Sequence, residues 1–363
     1  MQLPSNTLLQ RGKYRIIRFI SSGGFGCTYE AEHVLLENRV AIKEFFVKDF
    51  CNRDDATSRV TVGTRSKKDL VEKLKRKFID EARTLSQLRH PGIVSVSEVF
   101  EENGTAYFVM DYIDGKSLSE IVRDQGQLPE KKAVCYIRQV ASALQYVHDN
   151  NRLHLDIKPG NIMIDGQDRP ILIDFGTSKQ YDEEAGENTS TLMGKTPGYA
   201  PPEQMCNDVV KFMPATDIYA LGATLYKLLT GITPLNATSL ASGEQLESLP
   251  DSIGRSTRAA VAAAMEINKT MRPQSIAEFV ELLGPEDDIE LDDLTVIDRC
   301  RPEFRQQESH AAAKNEANRV KTKFPAGFWN TCAPYQSPTF MEMYGGSILT
   351  IFIIIMIFLL FMF

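Results

Sequence analysis

The sequence predicts an α+β fold of two lobes, a small strand-rich one followed by a larger helical one, with a separate apolar helix at the C-terminal end. Three observations carry this. Short β-type runs (YRIIRFI, CTYEAEHV, RVAIKEF, AYFVMDYI) crowd the first third of the chain, while helical periodicity dominates from residue 129 onward. Strands followed by helices, rather than alternating with them, is the order of an α+β chain. Residues 344–363 carry no charge, and 20 such residues would form a helix about 30 Å long, the thickness of a hydrocarbon core.

With 363 residues, 43% of them hydrophobic and 25% charged, the chain has the composition of a globular protein with a real core. A formal charge of −7 excludes a dedicated nucleic-acid binder, which would carry a basic footprint. The six cysteines (Cys27, Cys51, Cys135, Cys206, Cys300 and Cys332) form no C-x-x-C pair and read as reduced thiols. The first residues, MQLPSNTLLQRGKYR, contain no apolar core of a secretory signal.

Along the chain, residues 14–45 read as three strands, with the glycine-rich turn SSGGFG between the first two. Residues 46–66 are polar and read as a loop. Over 67–89, Leu70, Leu74, Phe78, Leu85 and Leu88 share one helical face, and Glu81 lies on that same stripe. A carboxylate there needs a cation opposite it. AYFVMDYI is a further strand, ended by Asp114-Gly115. Residues 129–149 form a helix that starts at Pro129. Residues 215–230 are apolar nearly all round and predict a deeply buried helix stopped by Gly231. There is no internal repeat. From Gly284 the composition shifts to EDDIELDD, with six acidic residues in eight, and then to a modest basic excess over 299–323. Both read as an exposed tether.

The chemistry begins at SSGGFG, because a glycine-rich hairpin lets backbone N–H groups approach phosphates closely. In the next strand, VAIK, Ala41 and Lys43 share a face, which sets a cation beside room for a flat ring. Lys43 and Glu81 each answer the other's desolvation problem. HLDIKPGN (154–161), DFG (174–176) after the short strand ILI, and GKTPGYAPPE (194–203) follow in order.

Together these motifs resemble the eukaryotic-type protein kinase family, in a bacterial-looking form, over residues 12–283. The resemblance implies a kinase domain at 12–283 (N-lobe about 12–110, C-lobe about 114–283); composition and length add a polar juxtamembrane linker at 284–343 and a transmembrane helix at 344–363. It implies ATP and Mg2+ as cofactors, with Mn2+ as an alternative, and proteins with Ser/Thr acceptors as substrates. Ser22, Gly23, Gly24, Phe25 and Gly26 would cover the phosphates, and Lys43, paired with Glu81, would reach the α- and β-phosphates. Ala41, Met110, Asp111, Ile113 and Met163 would enclose adenine. Asp156 would accept the hydrogen of the substrate hydroxyl, Lys158 would steady the γ-phosphoryl, and Asn161 and Asp174 would hold the metal. Thr196 with Lys158 would position a serine or threonine acceptor. Glu203 with Arg272 would form a buried brace, and Asp217 would anchor the catalytic loop. The C-terminal helix implies a lipid membrane as partner. The basic excess before it and the unpaired thiols place the kinase domain on the cytoplasmic side of a single-pass protein.

Three residues depart from the family pattern: Ser21 for the first loop glycine, Thr28 for a valine, and Leu155 for the arginine before Asp156. None is a phosphate or metal ligand. The arginine normally pairs with a phosphate on the activation segment, for which Thr189, Ser190 and Thr191 are the candidate sites here. The absence of this arginine (a non-RD catalytic loop) predicts activity without that phosphate. Two other classes compete. One is a pseudokinase acting as a nucleotide-binding scaffold. The other is a small-molecule phosphotransferase, against which GKTPGYAPPE speaks because those enzymes lack a peptide-positioning segment.

Overall fold

The computed structural model of the chain describes residues 2–24, 26–175, 196–205 and 212–285, and the backbone of residues 179–180. Phe25, Thr189, Ser190, Thr191, the acidic tether and the apolar run at 344–363 lie outside the described residues. Among the described residues no helix is long and apolar enough to cross a membrane.

The N-terminal lobe starts with β1 (Leu8–Leu9), β2 (Tyr14–Ser22), β3 (Gly26–His33) and β4 (Asn38–Phe45). After β4 comes a separate hairpin of β5 (Cys51–Arg53) and β6 (Val60–Val62), then α1 (Lys68–Gln87), β7 (Val96–Glu102) and β8 (Thr105–Asp111). Six of these strands form one antiparallel sheet in the order β1-β2-β3-β4-β8-β7. Strand β8 is buried on both faces except at its last residue, which is why its sequence is apolar without alternation. Phe78 of α1 packs between Phe45 and Phe108, at ring distances of 5.7 and 4.9 Å, and seats the helix on one face of the sheet.

Two features depart from the sequence reading. Residues 46–66 are not a loop throughout: β5 and β6 pair over Cys51–Val62 and Arg53–Val60, turned by Asp54, whose carboxylate accepts from the amide and hydroxyl of Thr57. Three residues per strand are too few for periodicity to register. The sheet also curls until its ends meet. The Glu98 carboxylate on β7 accepts from Lys13 Nζ (2.6 Å), Tyr14 Oη (2.6 Å) and Gln10 Nε2 (2.5 Å). Beside it Glu102 accepts from the amide of Gln10.

The C-terminal lobe contains β9 (Gly115–Ser117), α2 (Leu118–Gln125), α3 (Glu130–Asp149) and β10 (Arg152–Leu153), followed by β11 (Ile162–Asp165), β12 (Pro170–Leu172) and β13 (Lys179–Gln180). Then come α4 (Pro202–Met205), α5 (Pro214–Thr230), α6 (Ala237–Ala241), α7 (Arg255–Ala264) and α8 (Ile276–Leu282). Ser117 and Glu120 cap α2 reciprocally, which fixes where the lobe begins. Gly115 is required there, since a Cβ would fall 1.9 Å from the Ile164 carbonyl. Helix α5 buries every residue except Pro214, Lys227 and Thr230, and Gly231 ends it at φ 71°. Cys27 and Cys51 are free, buried thiols.

Candidate active site

The roof of the cleft is the β2–β3 hairpin and β4. The Gly23 amide donates to the Gly26 carbonyl at 2.9 Å, and Ser22 Oγ accepts from Lys48 Nζ at 2.8 Å. A Cβ at Gly26 would lie 2.4 Å from the Glu44 carbonyl, whereas one at Gly23 or Gly24 would meet nothing within 4 Å. The start of β3 is therefore pressed against β4, and the hairpin leaves open backbone at Gly23 and Gly24. Ala41 is buried opposite Met110 in register. Asp111 and Ile113 follow on the segment between the lobes, with the Asp111 amide bonded to the Ser95 carbonyl, and Met163 lies half-buried on β11.

Lys43 is the centre of the roof. Its Nζ lies 2.8 Å from Asp174 Oδ1 and 3.3 Å from Glu81 Oε1, so three sequence-distant residues converge. Burial alone would depress the Lys43 ammonium, but the Asp174 and Glu81 carboxylates outweigh it and hold its pKa above the usual lysine value. Burial would likewise raise Asp174, yet Lys43 keeps it below the ordinary carboxylate range. Glu81 is the odd member: burial pushes it up to about 7 against the pull of Lys43. The cation thus sits closer to Asp174 than to the helix carboxylate.

The floor hangs from α5. The buried carboxylate of Asp217 accepts from the amides of His154 (2.9 Å) and Leu155 (2.7 Å), and His148 Nε2 lies 2.8 Å away. These contacts hold Leu155 at φ 64°, a left-handed conformation that is strained for a branched side chain. Burial lowers the His154 pKa, and its neutral ring packs 4.3 Å from that of Phe175. Just beyond, Asp156 Oδ2 accepts from Lys158 Nζ (2.7 Å) and Asn161 Nδ2 (2.8 Å), and Oδ1 accepts from Thr196 Oγ1 (3.0 Å). Lys158 Nζ also donates to Thr196 Oγ1 at 3.0 Å. A carboxylate, an ammonium and a hydroxyl are thus fixed around one point.

The end of the activation segment is braced as expected by Arg272 and Glu203, 2.7 Å apart and both buried. Other contacts were not anticipated. Gln204 Nε2 donates to the Leu155 carbonyl at 2.8 Å, and the Leu155 side chain joins Leu153 and Phe212 in a small apolar cluster. No sequence signal marks these, because the contact from Gln204 spans 49 residues.

A cation bridging two carboxylates above and a hydroxyl-bound carboxylate below is an arrangement suited to moving a charged group onto an alcohol. The protein kinase domain family matches residues 14–283. Serine/threonine-protein kinase PrkC of Bacillus subtilis (strain 168) is 34% identical over 231 residues, covering 64% of this chain and 32% of PrkC. Serine/threonine-protein kinase PknA of Mycobacterium tuberculosis (strain CDC 1551 / Oshkosh) is 30% identical over 284 residues, covering 75% of this chain and 61% of PknA. The solved PpkA-294 apo form superposes with a TM-score of 0.65 at 30% identity, covering 78% of this chain and 99% of that one. The chain belongs to the protein kinase family, among the eukaryotic-type serine/threonine kinases with bacterial relatives. Its matches span about a third of PrkC and three fifths of PknA.

Proposed function

We propose that the chain transfers the γ-phosphoryl group of ATP to serine and threonine hydroxyls of proteins. The observation that carries this reading is the convergence of Asp156, Lys158 and Thr196 below the Lys43–Asp174 pair. In that arrangement Thr196 and Lys158 orient the acceptor hydroxyl toward Asp156. The acceptor oxygen forms the new O–P bond as the β,γ-bridging oxygen leaves with its electron pair, and the hydroxyl proton passes to Asp156. Lys43 holds the α- and β-phosphates, and Glu81 keeps it extended toward them.

The residues present also fit a divalent cation. Asn161 donates through Nδ2 to the Asp156 carbonyl and carboxylate, both at 2.8 Å, which turns its amide oxygen away as an acceptor. With the Asp174 carboxylate this is an oxygen donor set of the kind Mg2+ prefers. Bound there, Mg2+ would neutralise charge on the phosphate oxygens.

The test is phosphate transfer by residues 1–340 with labelled ATP, Mg2+ and a generic acceptor protein. Lys43→Met or Asp174→Ala should each lower the rate by about a thousandfold or more, since each removes a charge aimed at the phosphates. A wild-type domain that transfers nothing with any divalent metal would instead support a scaffold role. Label confined to tyrosine would overturn the Ser/Thr assignment.

We further propose a membrane tether through residues 344–363, with the kinase domain cytoplasmic. Its support is the uncharged 20-residue length and the basic excess upstream. Removing 344–363 should release an active soluble enzyme. Full-length protein recovered without detergent would overturn the tether.

A further inference from the structure

The connection from β4 to α1 is a folded unit, and a buried ion pair holds it in place. Glu44 follows Lys43 in sequence and so faces the opposite side of the sheet. It is 0% exposed, and its carboxylate accepts from Tyr29 Oη (2.9 Å), Tyr107 Oη (2.8 Å) and Arg53 Nη2 (2.6 Å). The Arg53 side chain, 1% exposed, also donates to the Ser58 carbonyl at 2.8 Å and lies over the Phe46 ring. The two phenols flank β4 on both sides, one from β3 and one from β8. Each is itself held, Tyr29 by the Leu3 amide (3.1 Å) and Tyr107 by Asn103 Nδ2 (3.2 Å). Burial and the neighbouring carboxylate raise both phenols' pKa values, so they remain donors.

Stability alone does not account for this construction. Taking a carboxylate and a guanidinium out of water costs several kcal/mol each, and an apolar pair of similar volume is often as stable. What a fully bonded buried pair supplies is fixed position. The position at stake is that of the hairpin, which runs directly into α1. The Gly63 amide returns to the Phe50 carbonyl at 2.9 Å, and Lys67 Nζ, one residue before the helix, lies 5.1 Å from the centre of the Phe50 ring. At the other end of α1, Arg152 Nη1 donates to Thr84 Oγ1 at 3.0 Å. With its last turn tied to the C-terminal lobe at Thr84 and its middle held to β7 and the sheet through Lys75–Glu101 (2.9 Å) and Phe78, the first turns of α1 are the part the hairpin positions.

We propose that Arg53 and Glu44 are positioning residues for the Lys43–Glu81 pair: by pinning hairpin β5–β6 to the strand that carries Lys43, they fix the start of α1 and so set Glu81 in place before nucleotide arrives. This rests on the roles of Lys43 and Glu81 proposed above. Glu81 lies about one turn before the tied Thr84, so loosening the start reaches it through fraying and rotation of the intervening turns, which weakens its 3.3 Å contact with Lys43.

The experiment compares full-length wild type, Arg53→Met and the double variant Glu44→Gln/Arg53→Met without nucleotide. Amide hydrogen exchange over residues 71–81 should quicken by about tenfold or more in both variants. Thermal stability should fall in the single variant and largely return in the double one, because no orphaned carboxylate is left. In transfer assays the KM for ATP should rise about fivefold or more in both variants, with the thermal midpoint of the double variant near wild type. A pair that serves stability alone would leave helix exchange and KM in the double variant at wild-type values, and that result overturns the proposal. Should Arg53→Met not fold, Tyr107→Phe removes one hydrogen bond and no charge; it should quicken the same amides about threefold, and unchanged exchange there counts equally against the idea. If wild type transfers no phosphate, the exchange comparison still decides the positioning claim separately from the kinase reading.

Discussion

Among the described residues two buried acid–guanidinium pairs act as braces, one in each lobe, and they are built differently. Arg272 in the C-terminal lobe bonds Glu203 through both Nη atoms and gives its other donors to the carbonyls of Glu266, Ala215 and Ile267. It also lies over the Tyr219 ring at 4.9 Å. That pair ties main chain to main chain and makes a rigid frame. Arg53 bonds Glu44, whose remaining donors are two phenols on neighbouring strands. This pair ties side chains across a sheet and fixes a hairpin that leads to a helix. The lower brace holds the end of the activation segment in one place, whereas the upper one sets the angle of an element that could otherwise pivot.

The comparison can be broken most sharply at the lower brace. Arg272→Met leaves Glu203 buried and uncompensated, which should cost about 3–5 kcal/mol, read from a denaturation midpoint. If the frame interpretation holds, phosphate transfer disappears with it, and the Glu203→Gln/Arg272→Met double variant regains stability without regaining activity. A smaller effect is expected at the activation segment. Leu155 packs against Leu153 and Phe212 and offers no charge for a phosphate to pair with, and we propose that the floor is braced without modification. Alanine at Thr189, Ser190 and Thr191 together should leave the initial rate within about threefold of wild type. A hundredfold loss, about 2.7 kcal/mol, would assign control to phosphate on that segment instead.

The smallest effect concerns an ion pair at the lobe surface. Burial would raise the Glu98 carboxyl, but Lys13, Tyr14 and Gln10 outweigh it and hold its pKa below its ordinary 4.5. A depressed carboxylate contributes stability that is complete above the ordinary value and lost as pH falls through the lower, folded one. Glu98→Gln should therefore lower the thermal midpoint slightly at neutral pH, and the difference from wild type should shrink as pH falls below 4.5 and vanish below the folded value. A difference that grows in acid would reverse the sign of this assignment.

The lower brace was legible in sequence and the upper one was not, for a physical reason. The resemblance to the kinase family assigns Glu203 and Arg272, as it does Asp156, Lys158, Asn161, Asp174 and Thr196, while Lys43 and Glu81 are also marked by a strand face and a helical stripe. Helices α1, α3 and α5 declare themselves because one face, or every face, is apolar over several turns. Arg53 falls in CNRDDATSRVTV, where each strand is too short for alternation to emerge from its polar neighbours. Nothing in the sequence marks Glu44 as buried, because what covers it is that same short hairpin. Gln204 and Phe212 escaped notice likewise, since what they touch is decided by tertiary contacts alone.

The meeting of the two sheet ends at Glu98 bears on how the chain is made. Tyr14 and Glu98 are 84 residues apart, and a ribosome adding 5–20 residues per second needs about 4 to 17 s to cover that interval. From the completion of β4 at Phe45 until β7 begins at Val96, about 3 to 10 s of that time, β1 to β4 exist without β7 and β8, and β4 presents an unpaired backbone edge. The N-terminal strands of the nascent chain are thus a waiting template, completed only when residues 96–111 emerge, and this interval is when the protein has most need of a chaperone.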